Sequence, residues 1–215
     1  RYMPELPEVE TVMIQLRRKV LGKKITKADV YHQKITNHDQ TFKRKLRGQI
    51  FSDIDRVGKL LIFSFLEQDD LFMLAHLKMT GQFFFVDKKG DVTGGGHTLT
   101  EGGEMVWPHK HTRSAFHFDD GTSLYFNDMR LFGYTKLANK KTVEIAKTGF
   151  GPEPIDPNFD CQWFAAALKR KRTPIKAALL NQAFVAGLGN IYVDEALWRA
   201  KVWPGRRADK LTKVE

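Results

Sequence analysis

The sequence has 215 residues, of which 42% are hydrophobic and 28% are charged, a composition that supports one or two globular domains and excludes a disordered tail. Lysine and arginine outnumber aspartate and glutamate by ten. This excess favours a polyanionic partner, either nucleic acid or an acidic membrane surface, over ordinary surface charge. Seven of the ten charges lie in residues 169–215, and a localised basic region is more typical of nucleic-acid binding.

The chain has a single cysteine, Cys161, which excludes an internal disulfide framework and a cysteine-based zinc site within these residues. No apolar run approaches the roughly 18 residues of a membrane span. The first ten residues contain three glutamates, where a signal peptide would have a basic start and an apolar stretch. We therefore expect a cytoplasmic, nucleoid-associated protein with no membrane partner.

The first predicted element in chain order is a helix over residues 8–20. Pro7 and the neighbouring acids favour a helix start, and apolar residues recur with the helical period at Val9, Val12, Met13, Leu16 and Val20. Short runs rich in aromatic and branched side chains then predict strands at 60–66, 71–77, 82–86, 114–118 and 122–126. Residues 118–122 are typical of a hairpin turn. Many short strands with tight connections predict an antiparallel sandwich.

Residues 87–107 contain six glycines and show no periodicity, so we predict a mobile surface loop there. Beyond residue 154 the pattern becomes helical, with helices predicted at 158–169, 174–182 and 191–201. Residues 207–215 are predicted to open a further helix. The change of pattern indicates a β domain at 1–150 and a helical domain at 151–215.

Six segments have patterns that are much more specific than the composition. They read MPELPEVET at 3–11, RVGKLL at 56–61, HLKMTG at 76–81, NDMRLFG at 127–133, KRKRTPIK at 169–176 and NQAFVAGLGNIYVDE at 181–195. Together they resemble the formamidopyrimidine-DNA glycosylase (Fpg, MutM) family, in the oxidised-purine branch of its superfamily rather than the endonuclease VIII branch. The resemblance runs from residue 3 to about 213, apart from the long glycine-rich loop.

The resemblance implies an α+β fold. Residues 1–150 would form a catalytic antiparallel β-sandwich flanked by helices, and residues 151–215 an incomplete helix-two-turn-helix domain. Members of the family also carry one structural zinc in a C-terminal zinc finger. We expect that finger to be absent from this chain, and therefore no metal site and no cofactor within it.

The resemblance also implies four catalytic residues near the N-terminus. Pro4 would be the nucleophile once the preceding methionine is removed, because a terminal proline is a secondary amine that can attack a sugar C1′ and form an iminium. Glu5 would donate and accept protons, with Glu8 supporting it from the start of the helix. Lys59 would pair with a phosphate and donate a proton during strand cleavage. Taken alone, Pro7 and Glu8 are more typical of an ordinary helix start than of a catalytic motif.

Seven further residues would contact DNA by the same resemblance: His76, Met79, His109, Arg130, Phe132, Lys171 and Asn190. Met79, Arg130 and Phe132 would fill the hole that an extruded nucleotide leaves in the duplex. Their spacing predicts that Arg130 and Phe132 lie on one face of an extended segment. Gly187 and Gly189 would let the backbone approach a phosphate at a helix start. His109 and His111 lack a nearby third ligand, which favours solvated or hydrogen-bonded side chains over a metal pair, and the resemblance implies that His109 contacts a phosphate or DNA.

The implied function is base-excision repair of 8-oxoguanine and formamidopyrimidines by a monomeric glycosylase and abasic-site lyase acting on double-stranded DNA. Arg1 and Tyr2 precede Met3, and while any residue precedes Pro4 its nitrogen is an amide. The alternative is therefore a non-catalytic protein that binds damaged DNA. An unrelated basic β-sandwich would require all six motifs to be coincidental.

Overall fold

The computed structural model describes residues 3–94 and 106–212. The chain folds into two compact units, Arg1–Glu144 and Ile145–Glu215. The helices are α1 Leu6–Val20, α2 Phe42–Leu46, α3 Lys140–Thr148, α4 Cys161–Leu168, α5 Ile175–Leu180 and α6 Asn190–Arg199, with 3₁₀ turns at Gln33–Thr36 and Ala208–Lys210. The strands are β1 Ile25–Val30, β2 Phe51–Val57, β3 Leu60–Phe65, β4 Gln68–His76, β5 Gly81–Val86, β6 Val92–Gly94, β7 Thr112–Phe118, β8 Ser123–Asp128 and β9 Tyr134–Ala138.

The strands of the first unit form two antiparallel sheets. One sheet has the order β1-β7-β8-β5-β6 and the other has the order β2-β3-β4-β9. Aromatic side chains fill the space between the sheets. Phe63 on β3 packs against Phe83 on β5 with ring centroids 5.8 Å apart, and Phe51 on β2 lies 6.5 Å from Phe116 on β7. This arrangement confirms the predicted antiparallel sandwich.

Helix α1 contacts strands of both sheets and buries the five apolar residues that define its predicted face. It begins two residues earlier than predicted, because Pro7 occupies a first-turn position where its missing N–H costs nothing. The turn at 118–122 is also as predicted. The Phe118 N–H donates to the Thr122 carbonyl at 2.9 Å, and Gly121 takes φ 79°.

Other sequence predictions for the first unit were incomplete. Strands β1, β2 and β9 and helix α3 were not individually predicted, and α3 buries only Val143, too little for a periodic pattern. The prediction of an irregular loop at 87–107 is wrong at Val92–Gly94, which forms β6 by pairing with the end of β5. Residues 95–105 of that predicted loop lie outside the described residues.

The second unit contains the three predicted helices α4, α5 and α6. Its core consists of buried side chains from these helices and their loops, among them Leu168, Ile175, Leu179, Phe184, Val193 and Leu197. The further helix predicted from residue 207 is wrong for the described part, where Ala208–Lys210 makes one 3₁₀ turn and Leu211 is extended. In residues 3–94 and 106–212, no helix is long and apolar enough to cross a bilayer.

Candidate active site and nucleic-acid interface

The N-terminus of α1 places Glu5 at the helix cap with its side chain fully buried. The Glu5 N–H donates to Oε2 of Glu8 at 2.9 Å, and the reciprocal bond from the Glu8 backbone to the Glu5 side chain completes a capping box. Glu8 thus fixes the backbone of Glu5. Pro4, immediately before the cap, is half-buried.

Lys59 lies in the turn between β2 and β3, where burial lowers its pKa. The charge of Glu5 opposes this shift and the charge of Lys78 adds to it, so all three groups lie within electrostatic range. The turn is tied to α1 by Arg56, whose Nε donates to Glu10 at 2.6 Å and whose Nη1 donates to the Gly58 carbonyl at 2.7 Å. The structure therefore places the charge of Glu5 within electrostatic range of Lys59.

His76 ends β4 close to the same lysines. Burial, with the charges of Lys78 and Lys59, lowers the pKa of His76 to about 3. Its Nδ1 accepts the Lys78 N–H at 3.0 Å, so the proton of the neutral ring is on Nε2. His76 is therefore a neutral hydrogen-bond donor at physiological pH. Lys78 was missed by sequence reasoning because nothing distinguishes it from a solvated lysine until its neighbours in space are known.

The predicted void-filling residues lie on two loops of the first unit. Met79 follows β4 and is half-buried, whereas Arg130 and Phe132 follow β8 and are exposed. The Arg130 guanidinium lies over the Phe132 ring at 4.7 Å. The prediction of an extended segment is wrong, because Leu131 between them is left-handed with φ 56°. A turn, and not strand alternation, brings the two side chains together.

His109 is half-buried and lies in the loop before β7. Its N–H donates to Oγ1 of Thr112 at 2.9 Å, and its Nδ1 accepts the His111 N–H at 3.3 Å. The described residues contain no group of three or more histidine, cysteine or acidic side chains that could hold a metal. Cys161 is exposed, and a single cysteine without such a group does not provide the ligands of a structural zinc, so the described residues 3–94 and 106–212 do not fit that metal.

In the second unit, the loop before α6 is shaped by two glycines. Gly187 takes φ 89°, which favours glycine, and Gly189 is the N-cap of α6. Gln182, which sequence reasoning left without a role, accepts the Gly187 N–H at 2.9 Å and donates to the Leu188 carbonyl at 2.8 Å. Asn190 is exposed at the first position of α6, the end that attracts anions.

Lys171 is the other predicted DNA contact of the second unit. It is half-buried, and its ammonium lies over the Phe184 ring at 4.8 Å. This contact holds the charge next to the predicted helix-two-turn-helix without neutralising it.

Comparison with known families identifies both units. Residues 3–135 match the family described as Formamidopyrimidine-DNA glycosylase N-terminal domain, and residues 150–215 match the Formamidopyrimidine-DNA glycosylase H2TH domain. The chain belongs to the formamidopyrimidine-DNA glycosylase family. It is therefore an enzyme of the DNA-repair glycosylase class, and the family resemblance and fold class predicted from the sequence are confirmed.

Individual relatives agree with this assignment. The formamidopyrimidine-DNA glycosylase of Ligilactobacillus salivarius is 43% identical over 217 aligned positions, which cover 99% of this chain and 72% of the relative. That of Streptococcus pneumoniae strain R6 is 40% identical with the same coverage. Lactococcus lactis Fpg in complex with abasic-site DNA superimposes with a TM-score of 0.82 at 32% identity, covering 98% of this chain and 72% of that one. A further Lactococcus lactis structure contains Fapy-dG DNA.

Proposed function

We propose that this protein excises 8-oxoguanine and formamidopyrimidines from double-stranded DNA and then cuts the strand at the resulting abasic site. The observation that carries the proposal is the burial of Glu5 next to Pro4, within electrostatic range of Lys59. Relatives solved with abasic-site and Fapy-dG DNA support the same class of substrate.

In the first step, the Pro4 amine attacks C1′ of the damaged nucleotide, the glycosidic bond breaks, and the base leaves with a proton. Glu5 accepts the proton that the nitrogen loses and delivers it to the ring oxygen as the sugar ring opens, while the departing base takes its proton from water. The product is an iminium between the Pro4 nitrogen and C1′. This step requires a free amine, so the active form would begin at Pro4.

Strand cleavage follows by two eliminations. Loss of the C2′ proton sends its electron pair towards the iminium and expels the 3′ phosphate, and a second elimination expels the 5′ phosphate. Lys59 pairs with a flanking phosphate and donates a proton, and its lowered pKa makes it a stronger acid than an exposed lysine. Neutral His76 donates from Nε2 to a phosphate oxygen.

DNA binding completes the proposal. Residues 1–150 form the catalytic domain, in which Met79, Arg130 and Phe132 fill the space left by the extruded nucleotide and His109 contacts the backbone. Residues 151–215 form the helix-two-turn-helix domain, in which Lys171 and the α6 start at Asn190 contact phosphates. We further propose that the protein acts as a monomer in the cytoplasm, associated with the nucleoid.

The decisive experiment is borohydride trapping on a duplex with one 8-oxoguanine opposite cytosine, with mass analysis of the N-terminus of the same sample. A covalent adduct on Pro4 is expected. Pro4→Gly should form much less adduct, while Pro7→Ala, a change in the same motif that leaves the Pro4 amine intact, should still form it.

The same experiment separates the proposal from a non-catalytic damage-binding protein. Absence of an adduct from protein whose Pro4 amine is free would contradict the lyase mechanism. Persistence of residues before Pro4 in the natural protein, together with tight binding of damaged duplex, would favour the binding protein instead.

A further inference from the structure

Asp128, at the end of β8, is a fully buried carboxyl group next to the void-filling residues. Three donors reach it. Oδ1 accepts the hydroxyl of Thr80 and the N–H of Arg130, the latter at 3.1 Å, and Oδ2 accepts the N–H of Gly133 at 2.7 Å. The side chain therefore binds both ends of the loop that carries Arg130 and Phe132, and also the loop that carries Met79.

Thr80 is the second member of this network, and its hydroxyl joins the two loops directly. It donates its one proton to Asp128 and accepts the Arg130 N–H at 3.1 Å. The Arg130 N–H is thus shared between the two oxygen atoms. This pattern requires a side chain with acceptors only at position 128. At position 80 it requires a side chain that has both a donor and an acceptor.

Gly133 lies beside this network at a position where a side chain would not fit. A Cβ atom there would lie 2.8 Å from the His76 carbonyl oxygen and 3.1 Å from Oδ2 of Asp128. The absence of a side chain lets the loop return against the end of β4. The backbone of Asp128 extends the connection towards His109, since its carbonyl accepts from Nε of Arg113 at 2.7 Å and its N–H donates to the His111 carbonyl at 2.9 Å.

The loop needs such support because its own conformation is unfavourable. Leu131 is left-handed, a backbone region that side chains other than glycine, asparagine and aspartate rarely adopt. Phe132 and Arg130 are exposed and have little packing to hold them. A side chain that enters the DNA stack binds best when it is ordered beforehand, because the ordering cost is then not subtracted from binding.

We propose that Asp128 and Thr80 form a positioning clamp that presets Met79, Arg130 and Phe132 for insertion into duplex DNA. This inference rests on the proposed function, since it concerns the same DNA-bound site. Asp128 is fully buried, so the clamp acts through the side chains that it positions. Their effect is confined to double-stranded substrates, in which the three side chains must enter the base stack.

The test compares trapping rates on two abasic-site substrates, one single-stranded and one double-stranded. Single-stranded DNA has no stack to enter, so the ratio of the double-stranded to the single-stranded rate isolates insertion. Thr80→Val keeps the shape and removes the hydroxyl, and Asp128→Asn replaces an acceptor by an N–H₂ group. We expect the ratio to fall about tenfold in each, as for the loss of a buried hydrogen bond. Thr80→Ser should restore it.

The hairpin turn at 118–122 offers a matched control. There Asp120 accepts the hydroxyl and N–H of Thr122 at 2.6 and 3.0 Å, a similar aspartate and threonine pair on another loop. Asp120→Asn and Thr122→Val should leave the ratio unchanged. A second readout is the fluorescence of 2-aminopurine placed opposite the abasic site, which reports directly on insertion.

The outcomes distinguish a failure of the clamp proposal from a failure of the proposed function. An unchanged ratio in both clamp variants would overturn the proposal, and so would an equal fall of the two rates, which would indicate general damage to the fold. If wild-type protein with a free Pro4 amine traps neither substrate, the proposed function fails, whereas the fluorescence change still tests the clamp.

Discussion

The unusual state of His76 leads to a quantitative prediction about stability and pH. Burial and the charges of Lys78 and Lys59 lower its folded pKa to about 3, whereas an unfolded chain has a histidine pKa of about 6.5. Because the folded value is the lower one, the stability due to the neutral ring is fully present above the unfolded pKa. It is lost as the pH falls towards the folded pKa, since only the unfolded chain takes up the proton.

The size of this loss of unfolding free energy follows from the width of the pH interval between the two pKa values. Each pH unit costs about 1.4 kcal/mol per proton, so the two units below the unfolded pKa cost about 3 kcal/mol. His76→Gln keeps a hydrogen-bonding side chain that does not titrate. The difference in unfolding free energy between wild type and this variant should therefore shrink by about 3 kcal/mol over that interval.

Urea unfolding of both proteins between about pH 4.5 and 7.5 measures this difference directly. Tyr134→Phe is a useful control, because the Tyr134 ring packs 5.9 Å from His76 between centroids but does not titrate in this range. Its difference from wild type should not vary with pH. Parallel stability curves for wild type and His76→Gln would refute the neutral, buried state of this histidine.

Three further predictions concern cleavage and DNA binding. Lys78→Met removes a charge that lowers the Lys59 pKa, so the alkaline limit of strand cleavage should move to higher pH. The control Lys89→Met, on a distant turn, should not move this limit. Identical pH–rate profiles for wild type and Lys78→Met would contradict the coupling of Lys78 to Lys59. Gly187→Ala places a side chain at a left-handed backbone position, so it should lower the free energy of unfolding in urea by about 1 kcal/mol or more and weaken binding to duplex DNA. An unchanged midpoint of urea unfolding would exclude strain at this position. Lys171→Met should reduce the slope of log affinity against log salt by about 0.9, and an unaltered slope would show that this lysine does not neutralise a phosphate.

Much of the fold could be predicted from the sequence, because most of its helices and strands follow from local residue patterns. The apolar period of α1 identified its buried face, and the aromatic runs identified five strands of the sandwich. The N-terminal motif and the segment at 181–195 were specific enough to indicate the family, because each combines several residue types at fixed spacings. Short edge strands such as β6 were missed, since three residues carry too little pattern.

The state and placement of the site residues depended on tertiary structure. Burial and neighbouring charges set the pKa values of Lys59 and His76, and those neighbours come from distant parts of the chain. Arg130 and Phe132 meet across a left-handed Leu131 that the clamp at Asp128 and Thr80 stabilises. The sequence by itself determined which chemical groups are available. Only the packing of β4, β8 and α1 decided which are buried, charged or held in place, because desolvation and long-range hydrogen bonds exist only once the chain is folded.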